Sequence, residues 1–170
     1  MVPIITFAAW SGTGKTTYLE KLLPRLKAYG LRVGVLKHDA HGFDMDTPGT
    51  DTDRLTRSGA DAVAISSPTG FAYLEWRPMD LEETARYFEG VDLVLTEGYK
   101  SGPFPKIALY RQASGKPLAV PADTCLAIVS DTWLDVPCPV FPLDDPEPMA
   151  AFLVEWLMEK KGDRLYANHA

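Results

Sequence analysis

The chain has 170 residues, of which 46% are hydrophobic and 24% are charged, and its formal net charge is −6. This length and composition predict a single globular domain over residues 1–170. The negative charge disfavours non-specific nucleic-acid binding, which needs clustered basic residues. The longest apolar runs are shorter than the ~20 residues of a membrane helix. We therefore expect neither a nucleic acid nor a membrane as a partner.

The two cysteines favour a reducing compartment. Cys125 and Cys138 lack the companion histidine spacing of a zinc site, and a disulfide between them would need an oxidising environment. The N-terminal residues also lack the basic region and small-residue cleavage site of a signal peptide. We expect two reduced thiols that serve in packing, and a cytoplasmic location.

Strand-like and helix-like segments alternate from the start of the chain. Residues 2–9 predict a buried strand, residues 14–29 a helix that stops at Gly30, and residues 31–37 a second strand. A strand–helix–strand unit of this kind places its two strands in parallel with a right-handed crossover. Pro24 should kink this helix or end its first half.

The next part of the chain begins with a polar loop, residues 38–53, which has no apolar period. Thr50 and Asp53 have the spacing of a capping box, which predicts a short helix through about Gly59. Residues 61–76 contain two β-type runs broken by Ser-Pro-Thr-Gly, which predict an antiparallel hairpin.

The alternation resumes after the hairpin. Asp80 and Glu83 predict a capped helix that ends at Gly90, and the apolar run at 91–96 predicts a central strand covered on both faces. Further elements are predicted as strands at 106–111 and 125–130 and as a C-terminal helix at about 146–161, followed by a frayed tail. The pattern indicates an α/β fold with a mostly parallel sheet and an antiparallel hairpin.

A phosphate-binding loop is predicted between the first strand and the first helix. Residues 9–16, AWSGTGKT, match the pattern GxxxxGK[ST], except that Ala9 occupies the first glycine position. Amides at a helix N-terminus bind phosphate, the glycines allow the turn, Lys15 supplies a charge and Thr16 a ligand for Mg²⁺. The alternative is a glycine-rich helix start with a solvated lysine. The predicted nucleotide-binding residues are Ser11, Gly12, Thr13, Gly14, Lys15, Thr16, Thr17 and Lys37.

An acidic residue should lie near the metal, and the sequence VDLVLTEGYK offers Asp92 and Glu97. Five strand residues span roughly 16 Å, so the two carboxylates cannot serve one ion. Ligands of parallel α/β sheets bind at the carboxyl ends of the strands, which favours Glu97 as metal ligand and, with Lys15, as catalytic residue. Asp92 then caps the start of its strand. The alternative for Glu97 is a solvated strand end.

The end of the second strand and the polar loop after it leave several interpretations open. Lys37 either reaches the same phosphates or is an exposed strand terminus. The loop is a transition-metal site, a mobile segment that closes over nucleotide and second substrate, or a solvated loop. The absence of a rigid ligand spacing favours closure over metal binding. Lys100 and Lys106 are further candidates for the anion surface. The polar residues of the loop are His38, Asp39, His41, Asp44, Asp46 and Asp51.

Four segments together resemble the MobB family, the molybdopterin-guanine dinucleotide biosynthesis adaptor proteins. They are WSGTGKTT, GVLKHDAHGFDMDTPGTDTDRL, GADAVAISSP and LVLTEGYKSGPFPKIALYR, and they span about residues 3–131. The resemblance implies a three-layer P-loop NTPase fold that binds GTP and Mg²⁺ with weak hydrolysis. It also implies homodimerisation, contact with a pterin, and a role assisting the nucleotidyltransferase MobA in attaching GMP to molybdopterin.

The family's functional residues carry over to matching positions. Its phosphate loop maps onto residues 12–17, its acidic strand end onto Glu97, and its His/Asp loop onto residues 37–51. The Asn-Lys-x-Asp signature by which many GTPases read guanine is absent, so guanine preference rests on the resemblance. Ser130 and Asp131 are the only late polar pair at a strand end, which makes Asp131 a candidate base contact.

Two other functional classes fit the phosphate loop. A small-molecule kinase or ATP-dependent ligase usually needs an arginine-rich lid, and only Arg54 and Arg57 lie near each other. A non-catalytic carrier of nucleotide or pterin needs no such lid. The apolar hairpin at 61–76 predicts a homodimer through an exposed sheet edge, and its alternative is packing within its own subunit.

Overall fold

The computed structural model describes residues 2–39 and 42–167, with side chains as far as residue 160. The chain divides into two compact units, Met1–His38 with Ala85–Ala170, and Asp39–Thr84. The prediction of one domain over residues 1–170, with the hairpin as an insertion, stays a prediction.

The larger unit is built on a six-stranded sheet in which every neighbouring pair of strands is parallel. In chain order the strands of the protein are β1 (Ile4–Ala8), β2 (Val33–Lys37), β3 (Ala62–Ser67), β4 (Gly70–Glu75), β5 (Leu93–Glu97), β6 (Lys106–Tyr110), β7 (Cys125–Ser130) and β8 (Val140–Pro142). The helices are α1 (Lys15–Ala28), α2 (Asp51–Arg57), α3 (Leu81–Ala85) and α4 (Glu147–Ala167). The order in the large sheet is β2-β5-β1-β6-β7-β8, so the prediction of an α/β fold with a mostly parallel sheet is confirmed.

One face of this sheet carries the main core. Alternate strand residues such as Phe7 and Leu95 point to this face and pack against α1 and α4. Buried positions on α1 recur at the helical period, and this spacing explains why the segment folds as an amphipathic helix. These positions are Tyr18, Leu19, Leu22 and Leu26.

The opposite face carries a smaller core beneath Ala85 and the 3₁₀ turn Arg86–Phe88. The ring of Phe88 lies directly on Gly34 of β2, where a Cβ atom would collide with it. Two buried hydroxyls also pair here, because Thr96 Oγ1 donates to Thr6 Oγ1 at 2.9 Å. β5 is buried between β2 and β1, which confirms the predicted central strand.

α1 continues through Pro24 to Ala28, close to the predicted end at residue 29, so the proline does not end the helix early. Other predicted boundaries were wrong. The C-terminal helix continues past the predicted end at 161 to Ala167, so the tail does not fray there. The helix predicted to reach Gly90 ends at Ala85 and gives way to a 3₁₀ turn. β8 was missed, because three residues next to prolines form a strand only through their pairing with β7.

The smaller unit contains α2 and the predicted hairpin. The Thr50 hydroxyl accepts the Asp53 N–H at 3.4 Å, while the Asp53 carboxylate accepts the Gly49 N–H at 2.8 Å. The capping helix is therefore confirmed, with a one-residue shift in the reciprocal bond. β3 and β4 pair antiparallel from Ala62 with Glu75 to Ser67 with Gly70, as predicted.

Membrane spans, disulfides and metal clusters are absent from the part of the chain that the structure describes. No helix in this part is both long enough and apolar enough to cross a membrane. Cys125 and Cys138 are free thiols. Among the described His, Cys, Asp and Glu residues there is no group of three or more arranged to hold a metal ion.

Candidate functional site

The predicted phosphate loop forms the turn between β1 and α1. Gly12 and Gly14 have φ values of 81° and 98°, in the left-handed region that favours glycine. Gly14 is the N-cap of α1, no side-chain hydrogen bond caps the first turn among the residues that the structure describes, and no acidic residue occurs in that turn. The first N–H groups of a helix have no partner within it. They are therefore available to an anion at the positive end of the helix dipole.

Ala9 fits its unusual position in this loop. It is buried, and Tyr99 is the only non-glycine residue with positive φ in the described parts of the chain. The backbone of Ala9 therefore needs no glycine. The departure from the usual pattern does not strain the first turn.

Lys15, Thr16 and Glu97 meet at one point beside the loop. β1 and β5 are parallel neighbours with Phe7 opposite Glu97, so Glu97 lies at the same sheet edge as the loop. Lys15 Nζ lies 3.2 Å from Glu97 Oε1, and Thr16 Oγ1 donates to the same oxygen at 3.3 Å. A hydroxyl and a carboxylate in contact form the oxygen donor pair that Mg²⁺ prefers.

Asp92 lies at the other end of β5, as predicted. Its Oδ2 accepts the Arg32 N–H at 3.0 Å, and its own N–H donates to Arg32 O at 2.7 Å. These bonds fix the start of β5 against the start of β2. The carboxylate is structural and lies far from the phosphate loop.

Lys37 is exposed at the end of β2, opposite Glu97 in the strand register. The next residue, His38, donates its N–H to Glu97 O at 2.8 Å, and its ring packs on that of Tyr99 at 4.6 Å between centroids. Gly98 has φ 104°, and a Cβ there would lie 2.9 Å from His38 Cβ. The turn after β5 is therefore held against the end of β2.

The polar loop after His38 begins the smaller unit, where Ala40 and His41 lie outside the described residues. Within this unit, Asp46 Oδ1 accepts from Thr47 N at 2.8 Å and from Thr50 Oγ1 at 2.9 Å. These bonds lower the pKa of Asp46, with a bond from Thr52 as the largest cause. The described carboxylates of the loop thus organise its turns, and no metal cluster forms among them.

Three basic residues that support the phosphate loop were missed or only partly foreseen. Arg111 Nε donates to Thr13 O at 2.9 Å, and Lys116 Nζ donates to Ser11 O at 3.1 Å. Lys100 Nζ lies 4.3 Å from the centroid of the Trp10 ring, a cation–π contact. Arg111 and Lys116 follow β6, the neighbour of β1. The rule that ligands bind at carboxyl strand ends could have indicated both, had the strand order been known.

The cations of the site influence one another. The pKa of Lys100 is lowered, chiefly by burial and then by the charges of Lys15 and Lys116. Lys106, the other predicted anion-surface lysine, donates instead to Gly102 O at 2.7 Å. Several cations thus gather around the loop while Lys106 is bound within its own segment. This arrangement suits a polyanionic ligand.

The fold and the site define a P-loop nucleotide-binding protein: a parallel sheet whose first strand leads through a glycine turn into a helix, with a carboxylate on the adjacent strand. A family model for molybdopterin guanine dinucleotide synthesis protein B, MobB, matches residues 4–131. The chain therefore belongs to the MobB family.

Relatives and solved structures agree with this assignment. A molybdopterin-guanine dinucleotide biosynthesis adapter protein of Escherichia coli is 38% identical, over 95% of this chain and 97% of the relative. An adapter protein of the same name from Haemophilus influenzae is 34% identical, over 96% of this chain and 94% of the relative. The crystal structure of Bacillus subtilis MobB matches with a TM-score of 0.72 at 28% identity, over 91% of this chain and 97% of that one. The crystal structure of a MobB homologue from Bacillus stearothermophilus matches with a TM-score of 0.67 at 26% identity, over 92% of this chain and 98% of that one.

Proposed function

We propose that this chain binds GTP with Mg²⁺, hydrolyses it slowly, and assists the attachment of GMP to molybdopterin in the cytoplasm. The observation that carries the proposal is the meeting of Lys15, Thr16 and Glu97 beside a phosphate loop, in a chain whose relatives are named adapter proteins of this pathway. The partner in this reaction is the nucleotidyltransferase MobA, with molybdopterin as the acceptor.

The residues of the site fit this ligand. The uncapped amides at the start of α1 and the ammonium of Lys15 suit the phosphates. Thr16 and Glu97 would hold Mg²⁺, which when bound neutralises charge on the phosphate oxygens. Within the free protein, Glu97 holds both Lys15 and Thr16 in place. Lys37, exposed at the neighbouring strand end, is a further phosphate contact in this proposal.

We expect slow GTP hydrolysis, because more residues of the site can bind the nucleotide than can act in catalysis. Arg111 and Lys116 contact carbonyls of the loop itself. An arginine supplied to the transferred phosphate accelerates hydrolysis by about 10³–10⁵ in P-loop proteins. The Nε of Arg111 is engaged by Thr13 O, so this arginine supports the backbone of the loop. This favours an adapter that binds nucleotide over a fast GTPase.

Nucleotide titration tests the first part of the proposal. In Mg²⁺, the wild-type chain should bind GTP more tightly than ATP, and Lys15→Ala should lose most of the affinity for both. Lys27→Ala is the matched control, because it removes the same charge from the other end of α1. Equal weak binding of GTP and ATP, or an unaffected Lys15→Ala variant, would contradict the proposal.

Reconstitution tests the adapter role. GMP attachment to molybdopterin by the nucleotidyltransferase should be stimulated by the wild-type chain and by Lys27→Ala, and not by Lys15→Ala. Equal stimulation by all three would show that nucleotide binding is unrelated to the role. If GTP bound in a single turnover decays no faster than in buffer, the chain is a carrier without hydrolysis.

The kinase alternative receives no support from the two arginines that suggested it. Arg57 Nε donates to Asp53 Oδ1 at 2.8 Å, and Arg54 Nη1 lies 3.6 Å from Asp51 Oδ1. Both pairs lie within α2, so the guanidinium groups are engaged on their own helix. A lid that clamps an acceptor needs arginines available to its phosphates.

Homodimerisation through the hairpin is part of the proposal. The side chains of Ile65, Phe71 and Tyr73 on β3 and β4 are exposed in the single chain, Phe71 to 72%. Aromatic residues of this kind are enriched at interfaces. Sedimentation at micromolar concentration should give the mass of two chains, and Phe71→Glu should give one, whereas Met158→Glu, at an exposed position of α4, should still give two. A wild-type mass of one chain would refute the dimer.

A further inference from the structure

The smaller unit holds an excess of negative charge that the rest of the chain lacks. Residues 39–84 contain ten Asp and Glu residues, three Arg and no Lys, a formal net charge of −7 with His neutral. The whole chain carries −6, so the larger unit is close to neutral at +1. A field of one sign over one compact unit attracts partners of the opposite sign. The charge of the smaller unit therefore points to a basic partner.

A cavity within the smaller unit combines several of these carboxylates with two aromatic rings. It has a volume of about 240 Å³, and among the residues that line it are Phe43, Asp44, Asp46, Asp53, Arg57 and Trp76. Phe43 is 73% exposed and Trp76 is 53% exposed, so both rings are accessible to a molecule that enters from solvent. We call this cavity the Phe43–Trp76 pocket.

The Phe43–Trp76 pocket keeps a negative charge after its own ion pair is counted. Arg57 Nε donates to Asp53 Oδ1 at 2.8 Å, so this guanidinium neutralises that carboxylate. Asp44 Oδ1 accepts the Asp46 N–H at 3.2 Å, and Asp46 Oδ1 accepts the Thr47 N–H at 2.8 Å. These backbone amides fix the two carboxylates without neutralising them. The hydrogen bonds also lower the pKa of Asp46, which keeps it ionised at neutral pH.

The chemistry of the pocket favours an organic cation over a metal ion. Ca²⁺ and Mg²⁺ need several oxygen ligands around one point, and the described His, Cys, Asp and Glu residues include no group of three or more that could hold a metal. Aromatic faces attract ammonium and guanidinium groups, and carboxylates accept bonds from their N–H donors. A lysine or arginine side chain offers such a group together with an apolar stem that packs on the rings.

A basic protein fits the smaller unit better than the other possible occupants. A ligand that carries phosphate is repelled by a unit of net charge −7. A second copy of the chain brings the same negative charge to the contact, and the strands proposed for the dimer, β3 and β4, contain only one charged residue, Glu75. A basic surface on a different protein is complementary in charge. Exposed Trp residues are also frequent among those that dominate binding between proteins.

We propose that the Phe43–Trp76 pocket is a docking site for the nucleotidyltransferase and receives a lysine or arginine side chain of that protein. This inference rests on the proposed function, because it takes the partner from that proposal. It gives the two units separate tasks, since the larger unit binds the nucleotide and the smaller unit binds the partner protein. Trp76 and Asp44 are then residues of a protein interface and not catalytic residues.

Two substitutions remove the ring and the charge of the pocket separately. Trp76→Leu keeps an apolar side chain without the aromatic face, and Asp44→Asn keeps an oxygen that can accept the Asp46 N–H. Surface plasmon resonance on immobilised nucleotidyltransferase, in GTP and Mg²⁺, measures the Kd of each variant. We expect the Kd to rise about tenfold in each, the size of one lost cation–π contact or charged hydrogen bond. The thermal unfolding midpoint and the GTP affinity should stay at their wild-type values.

Asp51→Asn and Leu55→Ala are the matched controls. The Asp51 side chain is 96% exposed and Leu55 is 58% exposed, and neither residue lines the pocket. Both variants should keep the wild-type Kd. An increase in salt from about 50 to 300 mM should weaken wild-type binding more than Asp44→Asn binding, because salt screens the charge that the variant has already lost. If Asp51→Asn weakens binding as much as Asp44→Asn, the effect is general surface charge and the inference is overturned.

The remaining outcomes separate this inference from the proposed function. If the wild-type chain binds the nucleotidyltransferase and both pocket variants bind it equally well, the pocket assignment is overturned while the proposed function remains. If the wild-type chain neither binds that enzyme nor stimulates it, both are overturned. If Trp76→Leu sediments as one chain while the wild type sediments as two, or if the variants lose GTP affinity, the pocket serves another contact and the inference is overturned. Loss of binding and of stimulated GMP attachment, with GTP affinity retained, supports it.

Discussion

The Glu97 carboxylate has two partners, and replacing it with glutamine should separate two contributions to nucleotide binding. In the free protein Oε1 contacts Lys15 Nζ at 3.2 Å and Thr16 Oγ1 at 3.3 Å. The carboxylate therefore competes with a triphosphate for the Lys15 ammonium. In the proposed function it would also supply a negative oxygen for Mg²⁺. Glu97→Gln should tighten GTP binding in the absence of Mg²⁺ and weaken the enhancement that Mg²⁺ gives.

The distances and burial set the size of both effects. At 3.2 Å and an effective dielectric constant near 20, the gross attraction between Lys15 and Glu97 is about 5 kcal/mol. The side chains are only 15% and 18% exposed, so desolvation offsets much of this attraction. Glutamine still accepts a hydrogen bond from Lys15, which leaves a net change of about 1 kcal/mol, or roughly fivefold in Mg²⁺-free affinity. Loss of a group that holds or orients a metal costs about 10–100-fold in metal affinity.

Calorimetric titration of GTP with EDTA and then with increasing Mg²⁺ measures both effects in one protein. Asp92→Asn is the control, because it removes a carboxylate from the opposite end of the same strand. Asp92→Asn should change neither the GTP affinity without Mg²⁺ nor the enhancement of that affinity by Mg²⁺. Weaker Mg²⁺-free binding in Glu97→Gln, or an unchanged response to Mg²⁺, would show that Glu97 does not act at this site as we infer.

Three further predictions follow from the described contacts. Gly14→Ala should destabilise the chain by about 1–2 kcal/mol through its positive φ and also lower GTP affinity, since the new Cβ would lie 3.0 Å from Arg111 Nη2. Gly30→Ala, with φ 81° and open space at its Cβ beyond the other end of α1, should show the strain alone, and equal GTP losses in the two variants would contradict this. Leu153→Ala, fully buried between α4 and the sheet, should lower the free energy of urea unfolding by about 2–5 kcal/mol, and a loss under 1 kcal/mol would place it outside the core. The pKa of Asp53 is lowered below 3.8 by a bond from the Gly49 backbone N–H and then by the Arg57 guanidinium. The stability that the Asp53 carboxylate gives α2 is therefore present above pH 3.8 and lost as the pH falls through the folded-state pKa. Hydrogen exchange of α2 amides from pH 6 to pH 3 should show this loss of protection, and Asp53→Asn should remove the pH dependence of the protection.

The fold could be predicted where local pattern and tertiary structure agree. The uninterrupted apolar run of β5 indicated a strand covered on both faces, and the turn residues between β3 and β4 indicated a hairpin. β8 could not be found this way, because Val140–Pro142 is short and follows a proline. Its strand state comes from parallel pairing with β7, which lies outside the three residues themselves. α4 likewise continues through Gly162, a residue that usually favours a helix end.

Some residues of the candidate site could likewise be predicted from a local pattern, and others depend on the order of the strands in the sheet. Gly12, Gly14, Lys15 and Thr16 lie within five positions of one another, so a single pattern includes them all. Glu97 could be added because strand direction alone decides which end of β5 faces the ligand. Arg111 could not, because its place at the loop depends on β6 being the neighbour of β1, and the sequence does not state the strand order.

The basic residues missed by the sequence pattern also explain what kind of site this is. Arg111 and Lys116 donate to the Thr13 and Ser11 carbonyls, so their charges hold the loop in shape before any ligand arrives. A preorganised loop binds phosphate without paying for its own ordering. The Lys15 ammonium, in contrast, is paired with the Glu97 carboxylate. In the proposed function a phosphate would compete with Glu97 for this ammonium, so nucleotide binding would change the contacts at the end of β5.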